Sequence, residues 1–248
     1  MKTIAKALFV TGTGTDVGKT YVTALIAKLL RGAGVDAGYY KAAVSGVSFD
    51  AGGRISSDAT FVAETAGIDE SHDQMVSRTY RAAVSPHLAA RLEGGPVSME
   101  LIREGFAQAC ARHSHVLMEG SGGIVCPLRH DEEAVILLDD VIRDLDLPVL
   151  LVADAGLGAL NALATTTAYM ERAGLHAEGI VLNRFEVGNV MHKDNRSMAE
   201  ELCGIPVVAC VREGAQEIDA DPEVFLRMFA SPKGPGAPFR SHPPATSV

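Results

Sequence analysis

Near the amino terminus, Val10-Thr11-Gly12-Thr13-Gly14-Thr15-Asp16-Val17-Gly18-Lys19-Thr20 has the residue types and spacing to hold a polyphosphate. Glycines let a backbone curl until successive N–H groups point at phosphate oxygens. Lys19 is placed to reach the terminal phosphates, and the Thr20 hydroxyl to ligate Mg²⁺. The apolar run Ala7-Leu8-Phe9-Val10 comes before the loop. A helical pattern follows it, with Val22, Leu25, Ile26, Leu29 and Leu30 on one face. The positive end of that helix adds to the same anion site. The strict spacing puts glycine at position 13; Thr13 stands there and Gly12 is one residue further back, so the loop is a lengthened variant. Asp16 would repel phosphate, which suggests that it faces a metal or a cationic group.

Three further residues have matching chemistry. Glu119 ends the buried strand pattern His115-Val116-Leu117-Met118-Glu119, just before Gly120-Ser121-Gly122-Gly123. A carboxylate there suits a Mg²⁺ ligand, or else a solvated strand end. Asp58 follows Ser56-Ser57 at a helix start and reads equally as a first-turn acid or a metal ligand. Lys41 lies near the end of the strand pattern Ala37–Val44, ahead of Ser45-Gly46. Spacing alone leaves it open between a solvated charge and a functional one.

The elements that must position these residues alternate. Strand patterns at 149–153, 179–183 and 207–211 are interleaved with helical patterns starting at Ser85-Pro86, Ser98, Gly156-Leu157-Gly158, near Ser197 and at Pro222. A helical patch also lies around Val141–Leu145, and 48–55 reads as a polar loop. Repeated β-then-α units imply an α/β fold, a parallel sheet flanked by helices, with ligands at the carboxyl edge of the strands. Residues 1–230 read as one domain and 231–248, rich in proline and glycine, as a disordered tail. The net charge of −9 argues against a general nucleic-acid or anionic-membrane surface. Cys110, Cys126, Cys203 and Cys210 form no C-x-x-C pair and read as reduced, mostly core thiols. No signal, anchor or membrane-spanning run is visible, so the cytoplasm is expected.

Together, the loop, Ala37-Gly38-Tyr39-Tyr40-Lys41 with Ser45-Gly46, Ser57-Asp58-Ala59, Ser85-Pro86-His87, Glu119–Gly123 and Leu182-Asn183 occur in one order. The ordered set resembles the ATP-dependent dethiobiotin synthase family over about residues 5–211. The resemblance implies a P-loop NTPase-like three-layer sandwich. It implies a reaction in which 7,8-diaminononanoate takes up CO₂ as a carbamate, ATP phosphorylates it, and the second amine closes a cyclic urea. ATP and Mg²⁺ are the implied cofactors. By motif match, Lys41, Lys19 and Thr15 would be catalytic. Asp16, Val17, Gly18, Lys19, Thr20, Tyr21, Asp58, Glu119, Gly120, Ser121, Gly122, Asn183, Arg184, Arg212, Glu213 and Gly214 would bind ATP, with Asn183 reading the adenine edge. Thr20, Asp58 and Glu119 would hold the metal. Thr15, Lys41 and Ser45 would bind the carbamate and amine end. Gly158, Ala159, Leu160 and Asn161 would reach the substrate carboxylate from the partner subunit of a homodimer, where a helix start is an anion site.

Three positions depart from the family pattern: Ala42 stands for a proline, Gly14 for Asp or Asn, and Arg212-Glu213-Gly214 for a proline-ended loop. The alternative reading is a partition or positioning ATPase acting as a nucleotide-dependent switch. That class carries a second lysine five residues before Lys19, where this chain has Gly14. The related amide-forming corrinoid synthases would need a glutaminase domain, for which the chain after about residue 211 leaves no room.

Overall fold

The computed structural model describes residues 5–232. Apart from Ser231 and Pro232, the expected tail lies outside them. The amino-terminal half runs β1 (Lys6–Gly12), α1 (Lys19–Gly32), β2 (Ala37–Val44), β3 (Ser48–Phe49), β4 (Ile55–Ser56), α2 (Asp58–Ala66), α3 (His72–Met75), β5 (Val76–Thr79), α4 (Pro86–Glu93) and α5 (Met99–Arg112). The chain continues through β6 (His115–Glu119), β7 (Pro127–His130), β8 (Val135–Leu137), α6 (Leu138–Leu145), β9 (Val149–Asp154), α7 (Ala159–Arg172), β10 (Ala177–Asn183), α8 (Val190–Cys203), β11 (Val207–Cys210) and α9 (Pro222–Leu226).

Seven strands form one parallel sheet in the order β11-β10-β9-β1-β6-β2-β5. β1 is central, with Val10 opposite Glu119 of β6 on one side and Leu150 of β9 on the other. Its side chains alternate between two cores. Leu8 and Val10 pack with α1, α2 and α9, whereas Ala7 and Phe9 face α5 and α6. Both faces are covered, which is why β1 and β9 are apolar throughout their middles. Since every strand points the same way, the ends of β1, β2, β6, β9 and β10 share one rim.

Local chemistry sets the helix ends. Gly18, in the left-handed region at φ 91°, precedes α1. Ser57 caps α2 by accepting from Thr60 N–H, while the Thr60 hydroxyl accepts from Ser57 N–H, a reciprocal box that fixes Asp58 in the first turn.

Several expectations are corrected. Residues 48–56 contain a small antiparallel pair, β3 and β4, rather than only a loop. The helix expected near Ser197 begins at Val190, where the Asn189 side chain accepts from Met191 and His192 N–H groups. The helix expected from Pro222 is short and ends at Leu226. The edge strand β5 and the hairpin β7–β8 have no strong pattern because they are short and partly exposed, so they need no apolar run. All four cysteines are free; Cys203 is buried, and Cys110, Cys126 and Cys210 are half-buried against the core, as expected of reduced core thiols. Among the described residues no helix is long and apolar enough to cross a membrane.

These packing terms differ in size. Leu150 is fully buried between β1 and β10, so Leu150→Ala should cost about 2–5 kcal/mol. Ser57→Ala, which removes a cap, should cost about 0.5–2 kcal/mol. Urea unfolding midpoints at unchanged slope check both.

Candidate active site

The phosphate loop spans the gap between the end of β1 and the start of α1. Space there is tight. A Cβ at Gly18 would lie 2.0 Å from Asn183 Nδ2, and one at Gly12 would lie 2.7 Å from Val17 Cγ2. Asp16 adopts φ 60°. Lys19 Nζ donates to the Gly14 carbonyl at 2.8 Å, holding the ammonium over the curled backbone. Asn183 Nδ2 donates to Val17 O at 3.0 Å, and Asn183 Oδ1 is buried with no hydrogen-bond partner.

Beside the loop lies an ionic cluster whose geometry follows from the sheet. Lys41 of β2 and Glu119 of β6 are register partners, and Tyr39 precedes Lys41 by two, so all three project from the same face. Lys41 Nζ donates to Glu119 Oε1 at 2.6 Å and to Asp58 Oδ2 at 2.5 Å. The Thr20 hydroxyl donates to the same Glu119 Oε1 at 2.8 Å, and Tyr39 OH to Glu119 Oε2 at 3.1 Å. Glu119 is 1% exposed and Lys41 4%. Three elements, β2, α1 and β6, thus meet on one carboxylate, and Asp58 joins α2 to them through Lys41.

The two lysines are tuned in opposite directions. Burial lowers the Lys19 pKa, and Glu119 only partly offsets it, so the net shift is downward. Burial also acts to lower Lys41, but the adjacent Glu119 and Asp58 outweigh it, and the net shift is upward. Burial and Glu119 push the Tyr39 phenol well above its ordinary value, so it remains a donor.

These groups open into a cleft of about 950 Å³. Of the expected site residues, Thr15, Asp16, Gly18, Lys19, Thr20, Tyr21, Lys41, Ser45, Asp58, Glu119, Ser121, Gly122 and Arg184 line it. Val17 and Gly120 lie behind them in the chain, and Asn183 sits behind the loop. Arg212, Glu213 and Gly214 follow β11, and Ala215 next to them accepts from Tyr21 OH. Gly158, Ala159, Leu160 and Asn161 are absent from the lining; they begin α7, next to Leu157, which is 94% exposed.

Residues not anticipated also line the cleft. Phe61 lies one turn beyond Asp58 on α2, a spacing that could have revealed it, and it stacks with Tyr21 at a 6.2 Å centroid distance. Ala83, Val84, Ser85 and Pro86 form a wall; in the sequence Ser85 and Pro86 read as a helix start and as part of one of the ordered motifs, with no site role. Cys126 is carried in by the turn before β7, with no signal of its own.

The oxygen donors of Thr20, Asp58 and Glu119 form a set suited to a hard cation, and the Lys41 ammonium already bridges the two carboxylates. With the loop between the central strand and α1, this arrangement defines a P-loop nucleoside-triphosphate protein. A family model described as an AAA domain matches residues 6–217. The ATP-dependent dethiobiotin synthetase BioD of Brachyspira hyodysenteriae is 46% identical over 216 residues, covering 87% of this chain and 96% of that protein. The protein of the same name from Clostridium botulinum (strain Eklund 17B / Type B) is 41% identical, covering 87% and 94%. The chain belongs to the ATP-dependent dethiobiotin synthetase family. Its fold is also that of the MinC:MinD cell division protein complex of Aquifex aeolicus, whose matched chain is 12% identical at a TM-score of 0.53, with 86% of this chain and 83% of that one covered.

A triphosphate binds best to a charged Lys19, so affinity should be level near neutrality. It should fall as pH rises past the lowered pKa of Lys19, which lies below the ordinary 10.5. Calorimetric titration of a non-hydrolysable ATP analogue across pH 7–10 checks this, and Lys19→Arg, whose guanidinium does not titrate, should flatten the fall.

Proposed function

We propose that this chain, as one domain over residues 1–230, makes dethiobiotin from 7,8-diaminononanoate, CO₂ and ATP in biotin biosynthesis. The carrying observation is the Lys41 ammonium held between Asp58 and Glu119, with Glu119 also bonded to Thr20 of the phosphate loop. A fixed cation thus stands beside the place where a phosphoryl group is held.

One amine of the substrate adds to CO₂ to form a carbamate. A carbamate oxygen attacks the γ-phosphorus of ATP, and ADP leaves. The second amine then attacks the carbamoyl carbon, expelling phosphate and closing the cyclic urea. Lys41 steadies the negative charge of the carbamate, and its upward pKa shift keeps it charged at neutral pH. Thr15 and Ser45, at the same cleft, orient the carbamate and amine end. Lys19 stabilises charge on the phosphoryl group in transit, catalysis by position and electrostatics. Thr20, Asp58 and Glu119 would hold Mg²⁺, which when bound neutralises phosphate charge. Asn183 Oδ1 is an acceptor left over for the amino group of the base. Tyr21 and the neighbouring stretch Arg212-Glu213-Gly214 flank the same side.

The enzyme works on this reading as a cytoplasmic homodimer, without nucleic acid or membrane partners. Gly158–Asn161 of a second copy supply the substrate carboxylate site. The exposure of Leu157 and the absence of these residues from the cleft of their own chain support that arrangement.

ADP release should require both diamine and bicarbonate, each omitted in turn; diamine-independent turnover stimulated by DNA or lipid would refute the reading. Lys41→Ala should keep nucleotide binding within a few-fold and lower kcat by at least about 100-fold, the scale set by losing one charge-stabilising donor. Product formation followed by mass spectrometry separates the two effects.

A further inference from the structure

Arg184 is an arginine in the left-handed region, φ 54°, directly after β10. Its Nη2 donates to the carbonyl of Asp16 at 2.7 Å, and its Nη1 to Asp154 Oδ2 at 2.6 Å. Asp154 ends β9, and its other oxygen accepts from Gly156 N–H at 2.7 Å. One residue earlier, Asn183 donates to the carbonyl of Val17. Two consecutive residues of β10 and its end therefore take hold of two consecutive carbonyls of the phosphate loop.

A trans peptide is planar, so its carbonyl and the following N–H point in opposite directions. Turning the Asp16 carbonyl out toward Arg184 turns Val17 N–H the other way. Turning the Val17 carbonyl toward Asn183 does the same for Gly18 N–H. Such N–H groups bind phosphate in these loops, and they do so best when their direction is set in advance.

We infer that Arg184 is a positioning residue: braced by Asp154, it fixes the Asp16–Val17 peptide so that the phosphate loop is shaped for its ligand before binding. The anchor is off the loop, because Asp154 is itself held by the backbone at Gly156. The inference rests on the loop's binding a nucleoside triphosphate, and not on the acceptor chemistry proposed above. It therefore stands or falls separately from the carbamate reaction. Arg184 also lines the cleft, so direct contact with the phosphates is the competing explanation.

The test is binding of the β,γ-imido analogue of ATP to the full chain carrying Arg184→Ala, Asp154→Asn or both, by calorimetry. Arg184→Ala should weaken binding roughly threefold to tenfold, the range for a partly exposed charge-assisted bond. Asp154→Asn should weaken it in the same direction by less, and the double variant should be no worse than Arg184→Ala within about twofold. Amide exchange at Val17 and Gly18 in the nucleotide-free protein should rise in each variant, a readout that direct phosphate contact would not move. Arg184→Lys, with one ammonium in place of a fork, should recover only part of the affinity. Unchanged or tighter binding in Asp154→Asn, or losses that add in the double variant, would mean that Arg184 acts on the ligand itself and would overturn the inference. Should Arg184→Ala lose fold, Asp154→Asn alone still decides.

Discussion

The Glu119 carboxylate is the constraint on which the rest of the site depends. Taking a carboxylate out of water costs several kcal/mol unless partners replace the lost solvation. Here the partners are Lys41 and Thr20 on one oxygen and Tyr39 on the other. Each comes from an element that must be in place for the bond to exist: β2 for Tyr39 and Lys41, α1 for Thr20, β6 for Glu119 itself. Asp58 adds a second acceptor to Lys41 and brings in α2. Removing any one partner would leave a buried charge short of a bond, so the cluster ties these elements to one geometry. Thr20, Lys41, Asp58 and Glu119 also face the cleft, so the interaction that fixes the fold locally also arranges the polar surface presented to a ligand.

The two lysines show how one environment yields two behaviours. They share burial, yet Lys41 has carboxylates within hydrogen-bond distance while the bonded acceptor of Lys19 is a neutral carbonyl. Lys41 is thereby committed to its charge. Lys19 keeps a charge that is less well compensated, and an incoming phosphate can supply what is missing.

Much of this was legible in the sequence because the key residues punctuate elements. Lys19 and Thr20 open a helix, Glu119 ends an apolar strand and Asp58 follows a capping serine, each marked by a change of pattern. What stayed hidden had no such mark. β5 is half exposed at the sheet edge, and the β7–β8 hairpin is short. Cys126 reaches the cleft through a turn. The brace at Arg184 works through backbone carbonyls, which every residue has, so composition cannot announce it. Gly158–Asn161, which the resemblance makes substrate contacts of a partner subunit, lie outside the cleft of their own chain.

The central place of β1 has a consequence for how the molecule is made. Val10 pairs with Glu119 and with Leu150, both far along the chain, while nothing nearer in sequence flanks β1 in the sheet. Closing such distant pairs is entropically slow compared with forming hairpins. A nascent chain therefore carries its phosphate loop on an apolar strand that has no partner until β6 has left the ribosome and is paired on one side alone until β9 follows. Nucleotide can serve as a folding ligand only after most of the protein exists, and until then Leu8 and Val10 are among the surfaces a chaperone would find.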